Sequence, residues 1–376
     1  MIGNFNGKST SGKKIIIFSI GSLGDTLTVL PAVRILRKHF QNDQITLLCD
    51  FQKDSNYVLA ADVLSSAGLI DDVVTYTVHN GPLAYIANMA RKAFLLLKLR
   101  SQGFHTLIYL VEAYQGDRRI LRDQSFFKLS GIKCIIGMEG LEERPLSHGL
   151  SIRRVTHRTD EVLNRLVASG IPVPPLDQRD MSSGLESLAA HSFEQWRRDL
   201  CSDGGRSWIG VGPGSKMPAK VWPGNRYQNV VQRLIDEYDV WPVIFGGSED
   251  NEIGNTLVKA WGRGYVAAGK LSIQESAVGL HRCRLYVGND TGTMHLAASV
   301  GTPCVAIFSS REPPGRWEPY GPGHRVLRTA IDCAGCCLVD CVARGKECLL
   351  RITEEDVIKS CRATLIQKNV DMTHAH

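Results

Sequence analysis

A turn after one apolar run carries the side chains in this sequence that are best suited to bind an anion. Leu285–Val287 predicts a short buried strand, Gly288–Gly292 a turn, and the next residues a short helix. A helix that begins at the carboxyl end of a parallel strand presents free N–H groups and a positive dipole, which favour a phosphate or diphosphate. An N-cap role for Asp290 or Thr291 would explain the same residues without a ligand.

Two further loops with glycine and polar residues also end predicted strands in the second half of the chain. They are Gly212–Ser215 and Gly246–Glu249. Because parallel strands share one carboxyl edge, we expect all three loops to converge there. Lys216 and Lys220 could then donate to a diphosphate, and Glu249 could accept hydrogen bonds from sugar or ribose hydroxyls. A solvated surface position is the alternative for each lysine.

The first half begins with a comparable unit around Asp25. Lys13–Ile20 predicts a strand, Gly21–Asp25 a glycine-bearing turn, and Thr26 to about Phe40 a helix. Asp25 could be a first-turn residue that stabilises this helix. It could instead project into a site at the carboxyl end of the strand, where a carboxylate can act as a general base.

Strands alternate with helices in both halves, so the sequence predicts an α/β protein with two doubly wound domains. Its 376 residues are enough for two domains of ordinary size. A proline-bearing extended segment places the connection between them near residues 170–207. The long helix Pro82–Arg100 carries basic residues beside Phe94–Leu97. We expect its apolar residues to face the core and its basic side to be solvated, with an anionic surface as the alternative partner.

Charge and hydropathy narrow the classes of partner. The net charge is +6, which suits an anionic ligand or membrane surface, and no zinc-finger, RNP or long basic-tail pattern points to nucleic acid. No apolar run approaches the roughly 20 residues that span a bilayer, and the polar stretch before Lys13 lacks a secretory pattern. We therefore expect a cytoplasmic protein, with peripheral contact to the inner face of the cytoplasmic membrane left open.

Five of the eleven cysteines crowd into the segment 333–348. The spacing of Cys333, Cys336, Cys341 and Cys348 suits a tetrahedral thiolate site for zinc or iron, with Cys337 to spare. A closed four-thiolate site leaves no position open for catalysis, so such a metal would be structural. Reduced thiols, or disulfides in an oxidised preparation, are the alternatives.

Four motifs, in this order along the chain, give it a resemblance to a known family. They are Gly24-Asp25, Lys220-x-Trp222-Pro223, Phe245-Gly246-Gly247-Ser248-Glu249 and Asn289-Asp290-Thr291-Gly292-x-x-His295. Over roughly residues 13–330 the chain resembles the heptosyltransferases, the lipopolysaccharide-type glycosyltransferases grouped as family 9. The resemblance implies a GT-B fold, two Rossmann-like domains facing each other across a cleft. It also implies inverting transfer of a sugar, heptose by default, from a donor such as ADP-heptose to a glycan or lipopolysaccharide-type hydroxyl.

Roles for individual residues follow from the same resemblance. Asp25 would be the catalytic base, and Lys220 would bind the donor phosphates. The donor-binding residues would be Gly214, Ser215, Lys216, Glu249, Asn289, Asp290, Thr291, Gly292 and His295, with Gly21, Ser22 and Gly24 on the acceptor side. Such enzymes need no metal for chemistry. The core-oligosaccharide members need no cysteine cluster, whereas some relatives, including transferases that modify proteins, carry one.

The expected layout has five parts. They are an acceptor domain at 1–169, a connection at 170–207, a nucleotide-sugar domain at 208–330, the cysteine cluster at 331–350 and a helix at 351–376 that packs back toward the first domain. The acceptor could be a glycan, a lipid-linked glycan or a protein. A nucleotide-sugar epimerase, a protein-modifying heptosyltransferase with a cysteine metal finger, and a non-catalytic binder are the alternative functions.

Overall fold

The computed structural model describes residues 12–51, 60–77, 84–112, 117–139, 148–180, 182–198, 200 and 203–373. The chain divides into two compact units. The first comprises Met1–Pro145 and Arg158–Asp180, and the second comprises Leu146–His157 and Met181–His376. Strands alternate with helices in each unit, so the predicted α/β class is confirmed.

The first unit contains a five-stranded sheet in the order β3-β2-β1-β4-β5. Every pairing in it is parallel. Its strands are β1 (Lys14–Phe18), β2 (Gln44–Asp50), β3 (Asp72–Tyr76), β4 (Thr106–Tyr109) and β5 (Cys134–Ile136). Its helices are α1 (Leu23–His39), α2 (Ala60–Ser66), α3 (Ala84–Gln102), α4 (Asp117–Leu129) and α5 (Arg158–Ala168). The central strands are continuous apolar runs because helices cover the sheet.

The second unit contains a six-stranded parallel sheet in the order β11-β10-β9-β6-β7-β8. Its strands are β6 (Trp208–Gly212), β7 (Trp241–Ile244), β8 (Tyr265–Val266), β9 (Cys283–Asn289), β10 (Cys304–Ile307) and β11 (Arg325–Leu327). Its helices are α6 (Ala190–Arg198), α7 (Gly224–Tyr238), α8 (Asn251–Trp261), α9 (Ile273–His281), α10 (Gly292–Ser299), α11 (Glu347–Leu350) and α12 (Glu354–Thr373).

The segment 146–157 belongs to the second unit, although the predicted layout placed it in the first domain. Its backbone bonds explain the difference, since the Gly149 amide donates to the Ala334 carbonyl at 2.9 Å and the Val155 amide to the Pro314 carbonyl at 2.9 Å. The predicted connection is likewise divided between the two units after Asp180. Sequence alternation could not reveal these pairings, because their partners lie far apart along the chain.

Helix α12 contributes its buried face to the core of the second unit. Val357, Ile358, Cys361 and Leu365 pack in that core, where the helix contacts α7 and the strands β9, β10 and β11. Its packing toward the first domain stays a prediction. Among the described residues, none of the helices has the length and apolar character needed to cross a membrane.

Candidate active site

A cavity of about 260 Å³ lies in the first unit, at the carboxyl ends of β1, β2 and β4. The order of the sheet reverses between β1 and β4, and ligands of open α/β sheets bind at such switch points. The polar groups lining it are Ser19, Asp25, Asp50, Glu112 and Arg158. The predicted position of Asp25 at the carboxyl end of the first strand therefore coincides with a cavity.

Asp25 is the third residue of α1, and its N-cap is Ser22. Its Oδ2 atom accepts hydrogen bonds from the Ser22 amide at 2.7 Å and from the Ser22 hydroxyl at 3.0 Å. Within the described part of the chain, both hydrogen bonds to this carboxylate use Oδ2. Burial raises the pKa of Asp25, the bonds from Ser22 oppose that rise, and Glu112 adds to it. The two predicted roles are thus compatible, because one carboxylate caps the helix and lines the cavity.

Of the two glycines predicted for the acceptor side, Gly21 approaches this carboxylate closely. Gly21 has φ +118°, and a Cβ atom there would lie 2.4 Å from Cγ of Asp25. Its amide donates to Oδ1 of Asp50 at 3.2 Å, which joins the ends of β1 and β2. Gly24 is buried in the first turn of α1. Gly21 is therefore required both for its backbone conformation and for the space that Asp25 occupies.

A buried charge cluster behind the cavity was not predicted. Arg158, Glu161 and Arg165 of α5 are 3%, 1% and 0% exposed. Arg165 pairs with Glu161 at 2.9 Å and donates to the Val111 carbonyl at 2.9 Å, while Arg158 pairs with Glu161 and donates to the Leu110 carbonyl. The cluster therefore fixes the segment after β4 that lines the cavity. Its i, i+3, i+7 spacing on one helical face was the available signal.

The three predicted loops of the second unit follow β6, β7 and β9, which are neighbours in the sheet. At this edge the Lys220 ammonium lies 2.7 Å from Oδ2 of Asp290. The two side chains are only 13% and 6% exposed. The structure thus brings together two residues that the sequence separates by seventy positions, and it places a cation beside the amino terminus of α10.

Asn289 is fully buried and hydrogen-bonded on both sides of its amide. Its Oδ1 accepts from the Trp222 amide at 3.1 Å and from the Tyr227 hydroxyl at 2.9 Å. Its Nδ2 donates to the Pro213 carbonyl at 2.7 Å and, at 3.3 Å, to that of Gly214. The amide therefore ties the loop after β6 and the start of α7 to the end of β9, so the geometry favours positioning over direct ligand contact.

The remaining predicted donor residues occupy two environments. Lys216 and Glu249 are exposed, and Ser215 accepts a 3.3 Å hydrogen bond from the Met217 amide. Thr291 is the N-cap of α10, whose first residue is Gly292. His295 is buried in that helix, and burial lowers its pKa to about 4. His295 is therefore neutral near pH 7, so it offers a ligand hydrogen bonding but no charge.

Asp250 is a carboxylate of this edge that was not predicted. A Cβ atom on Gly214 would lie 1.6 Å from its Oδ1, and one on Gly246 would lie 2.0 Å from its Oδ2. Its side chain therefore fills the space between the loops after β6 and β7, and only glycine leaves that space. Burial, with Glu249 nearby, raises the pKa of Asp250 to about 6. The Gly-Gly pair before it was the available signal.

The four cysteines predicted to bind metal line one small pocket together with Arg311, Arg344 and Glu347. Within the described ranges, however, no three His, Cys, Asp or Glu side chains form a group that could hold a metal ion, so the predicted site is not confirmed. The cysteine segment instead contacts both neighbours of Lys220. The Ala219 amide donates to the Val339 carbonyl at 3.0 Å, and the Lys346 ammonium to the Val221 carbonyl at 3.3 Å.

Residues 156–346 match the family model described as glycosyltransferase family 9 (heptosyltransferase). The chain belongs to glycosyltransferase family 9. Lipopolysaccharide heptosyltransferase 2 of Escherichia coli K12 is 31% identical to this family 9 protein over 211 residues. That match covers 54% of this chain and 57% of the relative, so it spans little more than half of either.

Two solved structures resemble this family 9 member over nearly its whole length. A family 9 glycosyl transferase from Veillonella parvula has a TM-score of 0.68 at 22% identity, covering 96% of this chain and 100% of the other. The E. coli ADP-heptose lps heptosyltransferase II has a TM-score of 0.63 at 21% identity, covering 95% and 99%. At these identities the likeness concerns the fold, and the predicted GT-B fold with two Rossmann-like units is confirmed.

Proposed function

We propose that the protein is an inverting glycosyltransferase that moves heptose from ADP-heptose to a hydroxyl of a lipopolysaccharide-type acceptor. The observation that carries the proposal is Asp25, a carboxylate of raised pKa in a cavity at the switch point of the first sheet. Family membership supports transferase over epimerase chemistry. The name of the 31% identical relative supports heptose and the lipopolysaccharide class.

On the acceptor side, Asp25 accepts the proton of the attacking hydroxyl. The oxygen then bonds to the anomeric carbon while the bond from that carbon to the diphosphate oxygen breaks, which inverts the configuration. A carboxylate of raised pKa is a stronger base than an ordinary aspartate as long as it stays ionised at the working pH. The hydrogen bonds to Oδ2 from Ser22 orient the carboxylate.

On the donor side, Lys220 and the amino terminus of α10 stabilise the negative charge that develops on the leaving diphosphate. Both are fixed before the donor arrives, Lys220 by its ion pair with Asp290 and the helix by its place after β9. Preorganised charge of this kind lowers the barrier without reorganisation during the reaction. Neutral His295 can orient the donor by hydrogen bonding.

We further propose, as a separate point, a structural zinc or iron ion held by Cys333, Cys336, Cys341 and Cys348. Its support is the common pocket that these cysteines line and their thiolate spacing. No step of the transfer uses it. Elemental analysis of protein purified without chelator should find about one equivalent per chain, and Cys336→Ser should lower it. A wild-type protein that contains no metal and is nevertheless fully stable would refute the proposal.

The transfer itself is tested by incubating the protein with radiolabelled ADP-heptose and a heptose-deficient lipopolysaccharide. We expect label in the acceptor and, by NMR, an inverted anomeric linkage. A protein acceptor and a lipid-free core oligosaccharide run beside it distinguish the acceptor classes. Donor recovered with altered sugar stereochemistry and no acceptor labelling would indicate the epimerase alternative. Donor binding without either product would contradict catalysis altogether.

A further inference from the structure

Helix α3 exposes the apolar residues that the sequence predicts to be buried. Phe94 and Leu97 are 71% and 63% exposed, and Met89 is 55% exposed. Met89, Ala93 and Leu97 follow an i, i+4, i+8 spacing and so form one outward stripe. The inward side is held by Leu99, which packs in the core of the first unit. An apolar stripe on a helix that is already anchored to its core needs a partner outside it.

Basic side chains flank this stripe. Arg91, Lys92, Lys98 and Arg100 are all exposed, and the helix contains no acidic residue. Projected around the helix, Arg91 and Lys98 lie on one side of the stripe and Lys92 on the other, whereas Arg100 lies in line with the stripe at the carboxyl end of the helix. An apolar face bordered by cations is the pattern of a helix that lies in the plane of a membrane interface.

The neighbouring helix α4 extends the same surface. Its Leu121 and Leu129 are 61% and 63% exposed, and its exposed cations are Arg118, Arg122 and Lys128. The acid Asp123 is only 12% exposed; it pairs with Arg122 at 3.0 Å and accepts a hydrogen bond from the buried Tyr109 hydroxyl at 3.1 Å. Arg100 joins the two helices by donating to the Leu129 carbonyl at 3.2 Å. Two helices thus present apolar and basic side chains together.

We propose that this surface, the outer side of α3 and α4, docks on an anionic lipid bilayer. Apolar side chains would enter the interface, and the cations would pair with lipid phosphates. Charge argues against a two-fold dimer through this surface, because an isologous contact would place like charges against each other. The exposed Phe, Leu and Met residues argue against nucleic acid, which offers phosphates but little apolar area. The inference goes beyond the proposed transfer and does not depend on it.

The test is co-sedimentation of the full chain with vesicles that contain no acceptor. We expect binding to phosphatidylcholine vesicles that include phosphatidylglycerol, weak binding to pure phosphatidylcholine, and release by salt. Lys92→Glu with Lys98→Glu should weaken binding by more than tenfold, since each cation is worth roughly a fivefold change. Phe94→Ser with Leu97→Ser should also weaken it, including at low salt.

Matched controls distinguish binding through this surface from non-specific binding to vesicles by other exposed apolar or basic residues. Leu176→Ser removes another exposed apolar residue, and Lys259→Glu reverses an exposed cation of α8; both should bind vesicles as the wild type does. Melting temperatures establish that every variant is folded. Absence of vesicle binding by the wild type, or equal binding by the α3 variants, would overturn the proposal. So would sedimentation showing self-association that Phe94→Ser with Leu97→Ser abolishes, because the surface would then be an interface between copies.

Discussion

Asp25 and Asp290 occupy comparable places in their sheets but differ in charge environment. Asp25 lies in the first turn of α1, which follows β1, and Asp290 lies between the end of β9 and the N-cap of α10. Asp290 pairs with Lys220 at 2.7 Å, whereas the ion pairs found among the described residues do not include Asp25. Arg158 lines the same cavity as Asp25 and could have been its ion-pair partner, but it pairs with Glu161 instead. One carboxylate is neutralised by a partner, and the other retains its capacity to accept a proton.

The difference would let one topology support the two proposed tasks, proton acceptance at one edge and stabilisation of negative charge at the other. Both edges supply a helix amino terminus and a carboxylate. The backbone alone therefore does not determine whether an edge suits a general base or the stabilisation of negative charge. What differs is the pairing of the nearby cation: Arg158 of α5 pairs with Glu161, whereas Lys220, in the segment after β6, pairs with Asp290. If this comparison is right, substitutions at the first edge should lower turnover, whereas substitutions at the second should lower donor affinity.

The largest effect should follow from Asp25→Asn. The amide can still accept the Ser22 hydrogen bonds but cannot accept a proton, so transfer should fall by roughly 10²–10⁴-fold. Donor affinity, measured by calorimetry, should remain unchanged. Because burial raises the pKa of Asp25, ionisation opposes folding above that pKa, and the melting temperature of the variant should not fall for electrostatic reasons. Wild-type turnover in Asp25→Asn would remove the base from the mechanism.

The second prediction concerns Lys220→Met, which should weaken donor binding roughly ten- to hundredfold because a charge-assisted contact of about 1.5–3 kcal/mol is lost. The single variant also leaves Asp290 buried without its partner and should lower the melting temperature. The double variant Lys220→Met with Asp290→Asn is the control, since it should recover stability but not affinity. Donor affinity restored in the double variant would show that Lys220 acts only through Asp290.

The third prediction separates positioning from ligand contact. Asn289→Ala leaves buried groups of Trp222 and Tyr227 unsatisfied, so the free energy of unfolding should fall by about 1–3 kcal/mol for such a group. Donor KM should rise in parallel with the loss of stability. Asn255→Ala on the exposed side of α8 is the matched control and should stay within about 0.5 kcal/mol of the wild type. Lost donor affinity at full stability would instead make Asn289 a direct ligand.

The smallest effect should appear in the dependence of kcat/KM on pH. The base works only when ionised, so activity should rise with pH through the pKa of Asp25, at a higher pH than an ordinary aspartate would give. Asp250 should add a separate change in donor affinity near pH 6, which Asp250→Asn should abolish. A fall in activity at the pH where an unperturbed aspartate is protonated would contradict the raised pKa of Asp25.

Local patterns predicted most of the fold and the positions of the two edges. The glycine turns before Asp25 and Asp290 are contiguous in sequence, so strand, turn and helix could be placed together. The hydrogen bonds of Asn289, and those from Arg158 and Arg165 to the carbonyls after β4, join distant segments, and such partners cannot be read from spacing. Helix α3 shows a further limit, because apolar residues predict burial only when something covers them, and Phe94 remains exposed.

The chain passes from one unit to the other three times, and this affects how the protein can be made. His157 bonds to the carbonyl of Glu318, 161 positions later, at 2.8 Å. At synthesis rates of about 5–20 residues per second, roughly 8–30 s separate the two on the ribosome. During that time α5 can already join the first unit, while the residues that accept hydrogen bonds from Gly149 and Val155 have not yet been synthesised. Expression of the first unit therefore calls for a spliced fragment rather than a simple truncation.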